Sequence, residues 1–197
     1  MGNLSRKILD VSSLAKQVNL MEGVLVLRPI ARKMFETSRQ AVGDLTIGDI
    51  VVCDLKGIYD CSSSFVDEFV LAWQRVVCEV NNTVLIIIGM NEDVQYTVEA
   101  ALNQRNRISK ENLSLVSCTN GKFEVLGSKL EKNALEVFDL IADRGHITAR
   151  EVAENFKLEL NSAGNRLKKL YDAHVVMRIE QSADVGGKFE YFIPDIE

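Results

Sequence analysis

The fold of the last third of this chain is decided by a stretch that reads Ile147-Thr148-Ala149-Arg150-Glu151-Val152-Ala153, followed by Asn161-Ser162-Ala163-Gly164-Asn165-Arg166-Leu167-Lys168-Lys169-Leu170. Thr148 and Glu151 stand three residues apart, which is the spacing of a capping box at the start of a helix. In the second segment, Leu167 and Leu170 fall on one side of a further helix. The stretch therefore predicts two consecutive short helices joined by a turn.

The segments on either side of this pair extend the pattern. Residues 129–143 carry an apolar stripe at helical spacing, and residues 146–147 predict a short strand. Residues 175–179 and 189–193 predict two strands joined by a glycine-containing tip. The resulting order of helix, strand, helix, helix, strand, wing and strand resembles the winged helix-turn-helix of bacterial transcription regulators. That resemblance covers residues 131–193.

The resemblance implies that the third helix of this region enters the major groove of DNA, with its first residues facing base edges. Asparagine can pair with adenine and arginine with guanine, while lysines contact phosphates. The candidates for base contacts are Asn161, Ser162, Asn165 and Arg166. The candidates for phosphate contacts are Lys168, Lys169 and Lys188 of the wing.

The net charge argues against nonspecific binding of nucleic acid. The chain has a formal net charge of −5 and a pI of about 5.2, whereas proteins that coat nucleic acid are usually basic. From Lys129 onward, ten Lys and Arg residues stand against thirteen Asp and Glu residues. Positive charge is local, at Arg166, Lys168 and Lys169. DNA binding and protein docking therefore both remain open for this region.

The first two thirds of the chain alternate strands with helices. Residues 50–55 and 83–88 are apolar runs typical of buried strands, and residues 30–42, 64–80 and 92–104 have the periodicity of helices. Such alternation predicts an α/β layer with parallel crossovers. We place a domain boundary at Gly127-Ser128, which gives an α/β domain over residues 1–127 and a winged helix-turn-helix domain over residues 128–197.

One segment of the α/β region has a recognisable layout, in which a buried strand ends in a glycine turn at Gly57 and a serine cluster then opens a helix. The cluster is Ser62, Ser63 and Ser64, and Asp67-Glu68 follow. This layout resembles the STAS domain of anti-sigma-factor antagonists, and more closely the STAS-like family of unknown function. The match runs over residues 28–107.

The STAS resemblance implies a regulatory serine at the junction of strand and helix. In antagonists of that family a partner kinase phosphorylates this serine, so Ser62 or Ser63 would be the position and a kinase-type ATPase a possible partner. A helix N-terminus tolerates phosphate because its free N–H groups carry partial positive charge. The order Asp60-Cys61-Ser62-Ser63-Ser64 departs from the acidic-Ser-Ser-Gly order of the family. The alternative is that a serine caps the helix, and the two roles are compatible.

Several kinds of site are not predicted. His146 and His174, the two histidines, lie outside the α/β region, and a serine nucleophile would need a base within hydrogen-bond reach. We therefore predict no enzyme activity, and no cofactor is implied. We expect both histidines to be solvated turn residues. We expect Asp67 and Glu68 to lie on the exposed side of a helix start, where they complement the helix dipole.

The cysteine spacing and the hydropathy of the chain indicate its cellular location. Four scattered cysteines, without CxxC spacing, predict reduced thiols and no metal site; they are Cys53, Cys61, Cys78 and Cys118. The longest apolar run, residues 84–90, is too short to span a bilayer. No leader peptide is recognisable at the start. These observations predict a cytoplasmic protein that does not bind membranes.

The sequence therefore predicts a two-domain cytoplasmic regulatory protein. In the favoured hypothesis the winged helix binds DNA, and the STAS-like domain docks a protein partner at Ser62, Ser63 and Ser64. A homodimer is plausible because bacterial winged helices often read two half-sites related by a two-fold axis. The alternative hypothesis is a protein-only switch or adaptor, in which the winged helix is an interaction or dimerisation surface.

Overall fold

The computed structural model describes residues 4–18, 20, 23–127, 130–181 and 189–196. Helix α3 spans residues 63–78 and contains a π-helical turn, Val66–Val70, between Ser63–Phe65 and Leu71–Cys78. The other helices are α1 Val11–Gln17, α2 Arg28–Val42, α4 Glu92–Ser109, α5 Lys132–Arg144, α6 Ala149–Phe156 and α7 Leu160–Asp172. The strands are β1 Ser5–Asp10, β2 Val24–Leu25, β3 Asp49–Asp54, β4 Asp60–Cys61, β5 Val84–Ile88, β6 Leu115–Thr119, β7 Lys122–Leu126, β8 His146–Thr148, β9 Met177–Glu180 and β10 Phe189–Phe192.

The centre of the molecule is a five-stranded sheet in the order β1-β3-β5-β6-β7. The first four strands run parallel and β7 runs antiparallel to β6. The predicted α/β class is therefore confirmed, with a sheet that is mainly parallel. Strand β5 is buried along most of its length because its apolar side chains alternate between the cores on the two faces of the sheet.

Helices α1 to α4 cover one face of this sheet. Val51, Leu85 and Ile87 point into a core that also holds Phe69 and Trp73 of α3. Trp73 is fully buried, and its indole N–H donates a hydrogen bond of 2.9 Å to the hydroxyl of Ser38 in α2. The apolar side predicted for this helix is thus buried, and the indole N–H of Trp73 has a hydrogen-bond partner.

The opposite face of the sheet is covered by side chains from residues 130–181 and 189–196, which we call the C-terminal part; the described residues up to 127 are the N-terminal part. Ile50, Val52, Val84 and Ile86 share a single apolar core with side chains of α5, α7 and β10. The members contributed by the C-terminal part include Val137, Phe138, Ile141, Leu167, Leu170 and Phe192. The two parts are therefore joined by a continuous core and not by a polar contact alone.

The helices and strands of the C-terminal part follow the predicted order, and the predicted wing tip, residues 183–188, lies outside the described residues. Strands β8, β10 and β9 form a three-stranded antiparallel sheet in that order. The capping box at the start of α6 is confirmed: the Thr148 hydroxyl accepts a hydrogen bond of 3.3 Å from the Glu151 backbone N–H. In return, the Glu151 carboxylate accepts a hydrogen bond of 2.7 Å from the Thr148 N–H.

Two elements differ from the simplest interpretation of the sequence. Residues 5–17, whose sequence allows either a strand or a helix, form both, and the Asp10 side chain caps α1. The sequence predicts an edge strand over residues 113–118 and offers residues 122–126 as a candidate further strand; both strands form, and β7 rather than β6 lies at the edge of the sheet. The reason is a tight turn at Asn120-Gly121, where both residues have positive φ, 53° and 77°, and such a turn folds the chain back as a hairpin.

Candidate functional site

The serine cluster lies where α3 begins, at the edge of the N-terminal part. Ser62 caps this helix, because its Oγ accepts a hydrogen bond of 3.2 Å from the Phe65 N–H. The same hydroxyl donates to the Val26 carbonyl oxygen at 3.1 Å and lies 2.9 Å from the Ser64 hydroxyl. The capping role is therefore confirmed for Ser62, whose hydroxyl is already engaged.

Ser63 differs from its two neighbours because its side chain is exposed. Among the described residues, none forms a hydrogen bond with the Ser63 hydroxyl. Ser63 and Ser64 line a small cavity of about 210 Å³ together with Arg28, Asp67 and Arg105. We call these three serines with Arg28 and Arg105 the serine surface.

The two arginines of the serine surface, together with the neighbouring Arg75, contact the Asp67 carboxylate. Arg105 donates two hydrogen bonds to the Asp67 carboxylate, of 2.9 and 2.8 Å. Arg75 approaches the same carboxylate at 3.4 Å and Arg28 at 3.6 Å. Three cations from α2, α3 and α4 therefore converge on one acidic side chain.

Glu68 completes this network on the side of α2. It forms ion pairs with Arg28 and with Arg32, the latter at 2.8 Å. The hydrogen bond from Arg32, together with that from Arg28, lowers the pKa of Glu68 although partial burial opposes the shift. Beyond α3, Glu111 accepts a hydrogen bond of 2.8 Å from Arg75.

The expected exposure of Asp67 and Glu68 is therefore wrong. Their side chains are only 17% and 19% exposed, because α2 and α4 flank the start of α3 and bring arginines against it. Sequence reasoning missed these arginines. The spacing of Arg28 and Arg32, one helical turn apart, was the available signal, but it does not reveal which helix they face.

Apolar side chains also surround the serine surface. Val26 is 44% exposed and Leu27 is 53% exposed, and both precede α2 beside the Ser62 hydroxyl. Ile108, which is 65% exposed, lines the small cavity from α4. Exposed apolar side chains therefore lie close to the charged side chains of the serine surface.

The outer face of α7, the second candidate site, is the side of this helix that points away from the shared core. Its residues Asn161, Ser162, Asn165, Lys168 and Lys169 are all exposed. Ala163, Leu167 and Leu170 are fully buried on the opposite side. The structure thus brings five of the seven predicted DNA-contact residues onto one accessible face.

The charged residues of α7 have intramolecular partners. Lys168 pairs with Asp172 one turn later, and Lys169 pairs with Glu131 at 3.0 Å. Arg166 is half-buried; its guanidinium lies 3.4 Å from the Asn133 carbonyl oxygen and 5.8 Å from the Phe156 ring centroid. Arg166 therefore turns toward α5 and α6.

The remaining candidate, Lys188 of the wing, lies outside the described residues.

The boundary between the N-terminal and C-terminal parts, which we call the seam, contains polar contacts that the sequence did not indicate. His174 Nδ1 lies 3.2 Å from the Thr83 carbonyl oxygen, and the Asn82 side-chain oxygen accepts a hydrogen bond of 2.8 Å from the Arg178 N–H. The expectation of a solvated His174 is wrong, because the residue is packed against the sheet. Burial lowers the pKa of His174, although the bond to Thr83 opposes the shift. His146 remains half exposed and stacks on Phe192, with ring centroids 5.0 Å apart.

A larger cavity opens along the same seam. Its volume is about 740 Å³, within the range of ligand pockets. Residues of both parts line it, including Arg6, Ile50 and Phe123 on one side and Ile141, Ile179 and Phe192 on the other. Arg6 reaches across it to donate a hydrogen bond of 3.0 Å to the Asp195 carbonyl oxygen.

The cysteines show no arrangement for chemistry in the described part of the chain. All four are free thiols; Cys53, Cys61 and Cys118 are buried and Cys78 is exposed. Burial raises the pKa of Cys61 to about 12, which disfavours the reactive thiolate. Within the described ranges, no group of three His, Cys, Asp or Glu side chains could hold a metal ion. No helix in those ranges is both long and apolar enough to cross a membrane.

Comparison with known protein families finds no match for this chain, and comparison with curated protein sequences finds none either. The resemblances to STAS domains and winged helices therefore stay predictions from sequence. A functional assignment depends on the geometry of the serine surface and of the outer face of α7.

Proposed function

We propose that this chain is a cytoplasmic regulatory protein in which a C-terminal winged helix binds DNA and a STAS-like N-terminal domain docks a protein partner. The N-terminal part would receive a signal at the serine surface. The C-terminal part would carry the response through α7, with Asn161, Ser162 and Asn165 facing base edges.

One observation carries the DNA-binding proposal. The C-terminal part packs on the sheet through α5, β10 and the inner side of α7, and the outer face of α7 stays exposed. Asn161, Ser162 and Asn165 lie in its first two turns, where a recognition helix contacts bases. A recognition helix can act only if its outer face is free, and the packing of the two parts leaves it so.

Fluorescence-anisotropy titration against a pool of genomic DNA fragments at two salt concentrations tests this proposal. We expect fragment-selective binding that Asn165→Ala weakens by about ten- to a hundredfold, because an asparagine paired with adenine discriminates by ~1–3 kcal/mol. Asn103→Ala, the same substitution on the exposed side of α4, is the matched control and should bind as the parent does. Binding that is weak and indifferent to fragment sequence would contradict the proposal.

Ser63 is the best-supported position for regulation within the serine surface. Its hydroxyl is exposed, whereas Ser62 caps α3 and Ser64 is bonded to Ser62. Incubation with ATP and a soluble extract of the source cells, followed by mass spectrometry, should detect one added phosphoryl group on the parent and none on Ser63→Ala. Equal modification of both proteins would assign the modification to another residue.

A protein-only adaptor is the second candidate. The pairing of Lys168 with Asp172 and of Lys169 with Glu131 favours it, because paired lysines attract phosphates less strongly. If α7 is a dimerisation surface, Ser162→Cys in a Cys78→Ser background should form a disulfide-linked dimer on mild oxidation. Asn103→Cys in the same background is the control. Cross-linking through position 162 together with no DNA affinity would favour the adaptor.

A further inference from the structure

Arg178 has an environment unlike that of the arginines around the serine surface. It lies in β9, and its guanidinium carbon is 4.0 Å from the centroid of the Tyr171 ring in α7. The Phe189 ring of β10 lies 3.9 Å from the same carbon. Both aromatic rings contact one guanidinium, so the cation is held at the junction of α7 and the terminal strands.

The two ring contacts restrict the directions from which an anion can approach the Arg178 guanidinium. Aromatic rings cover the faces of a planar guanidinium through cation–π contacts, and its five N–H donors lie in the plane of the group. In the described part of the chain, no acceptor takes a hydrogen bond from the Arg178 side chain, and no carboxylate lies within ion-pair distance. The Tyr171 and Phe189 rings therefore position the Arg178 guanidinium but carry no negative charge that would neutralise it.

The backbone of Arg178 is held as well as its side chain. Its N–H donates the 2.8 Å hydrogen bond to Asn82 across the seam. Asn82 lies in the turn before β5, which belongs to the N-terminal part. The cation is thus positioned by two rings of the C-terminal part and by one side chain of the N-terminal part.

The position of Arg178 indicates what it would bind. Tyr171, on which it stacks, follows Lys168 by one helical turn, so Arg178 lies beside the C-terminal half of the outer face of α7. An oriented guanidinium fork fits two oxygens of a phosphodiester group. We propose that Arg178 is a further DNA contact of this protein, which binds a backbone phosphate next to the groove that α7 occupies. This inference rests on the proposed DNA-binding function and adds a residue that the sequence pattern did not assign to DNA.

A phosphate contact predicts an effect on the salt dependence of binding. Each neutralised phosphate adds about 0.9 to the slope of log affinity against log salt concentration. Arg178→Gln should therefore reduce this slope by about one and weaken binding about five- to tenfold at low salt. The loss should be similar for the selected fragment and for an unrelated duplex, because phosphates carry no sequence information.

Three further variants separate phosphate binding from other roles. Arg178→Lys should keep the slope, because its charge remains, but should bind less tightly than the parent, because lysine lacks the planar fork. Tyr171→Leu should lower affinity less than Arg178→Gln, because it removes one of two rings that orient the cation. Arg107→Gln, at an exposed arginine of α4, should change neither affinity nor slope.

The outcomes that overturn the inference are distinct from those that overturn the proposed function. If Arg178→Gln leaves the slope unchanged while Asn165→Ala still weakens binding, the DNA-binding proposal stands and the role of Arg178 is wrong. If Arg178→Gln lowers the thermal stability but not the slope, the residue is structural and the inference is again wrong. If the parent protein binds no DNA, both fail together.

Discussion

The arginines of the two candidate sites contrast in how their charge is used. Around the serine surface, Arg28, Arg75 and Arg105 converge on Asp67, whose carboxylate is only 17% exposed. In the C-terminal part, the Arg178 guanidinium contacts two aromatic rings and has no carboxylate partner among the described residues. The three arginines near Asp67 are already paired within the fold, whereas Arg178 is held in position and can still bind an anion.

This difference shows why the net charge of a chain is a poor guide to its ligand. The C-terminal part has more acidic than basic residues, yet two of those acids, Asp172 and Glu131, pair with lysines of α7. What matters for an incoming phosphate is which cations lack an internal partner. The four predictions below test the contrast between committed and available charge.

The largest effect is expected at the centre of the committed network. Asp67→Ala should lower the free energy of unfolding by about 2–3 kcal/mol, because the charged hydrogen bonds from Arg105 and Arg75 and the ion pair with Arg28 are lost, and like charges are left facing one another. Urea denaturation of the full chain measures this loss. Glu124→Ala is the control, since its pair with Lys122 is exposed and should change stability by under about 0.5 kcal/mol. Equal losses in the two variants would show that the network is not cooperative.

The next effect compares the helix caps of the two regions. Ser62→Ala and Thr148→Ala should each lower the free energy of unfolding by about 1 kcal/mol, because each removes a side-chain acceptor for an N–H at a helix start. Only Thr148→Ala should also weaken DNA binding, because α6 supports α7. Denaturation and anisotropy measured on the same samples would check both points. A loss of DNA affinity in Ser62→Ala would show that the serine surface acts on α7 across the shared core.

A smaller effect concerns the paired lysines of α7. Glu131→Gln and Asp172→Asn should leave the free energy of unfolding nearly unchanged, because exposed ion pairs contribute little. Each should raise DNA affinity by about two- to threefold at low salt, because a lysine becomes available for phosphate. Glu124→Gln, at an exposed pair far from α7 along the chain, is the matched control. Unchanged affinity in both variants would support the adaptor hypothesis.

The smallest effect concerns the seam. Burial lowers the pKa of His174 below its usual value of 6.5, with partial opposition from the Thr83 bond and from Asp172. The unfolded chain then binds a proton more readily than the folded one, so the contribution of neutral His174 is complete above pH 6.5 and is lost as the pH falls below it. His174→Gln should flatten this part of the stability profile. A profile that His174→Gln leaves unchanged would show that this histidine does not control it.

Periodicity predicted most of the fold, for a physical reason. The helical stripe that includes Phe69 and Trp73, the apolar strand β5 and the capping box of Thr148 and Glu151 are local patterns, and local patterns follow from the spacing of side chains along one element. The exposed asparagines at the start of α7 follow from the same periodicity, since they occupy the side of the helix opposite Leu167 and Leu170.

The contacts that the sequence did not reveal are those between side chains of different helices and strands. The pairing of Asp67 with Arg105 joins α3 to α4, and the stacking of Arg178 on Tyr171 joins β9 to α7. His174 is partly buried because it packs against the N-terminal part, beside the Thr83 carbonyl oxygen. No pattern within a single element encodes such contacts, so these residues were either overlooked or expected to be solvated.

The shared core also constrains how this chain could have been assembled during evolution. Ile50, Val52, Val84 and Ile86 are covered by residues encoded far downstream. A gene fragment that stopped after β7 would encode a sheet with one bare apolar face, and a recombined partner would succeed only if it offered a matching surface. We therefore expect the two parts to be inherited together, and a free-standing homologue of the first to carry polar side chains at those four positions.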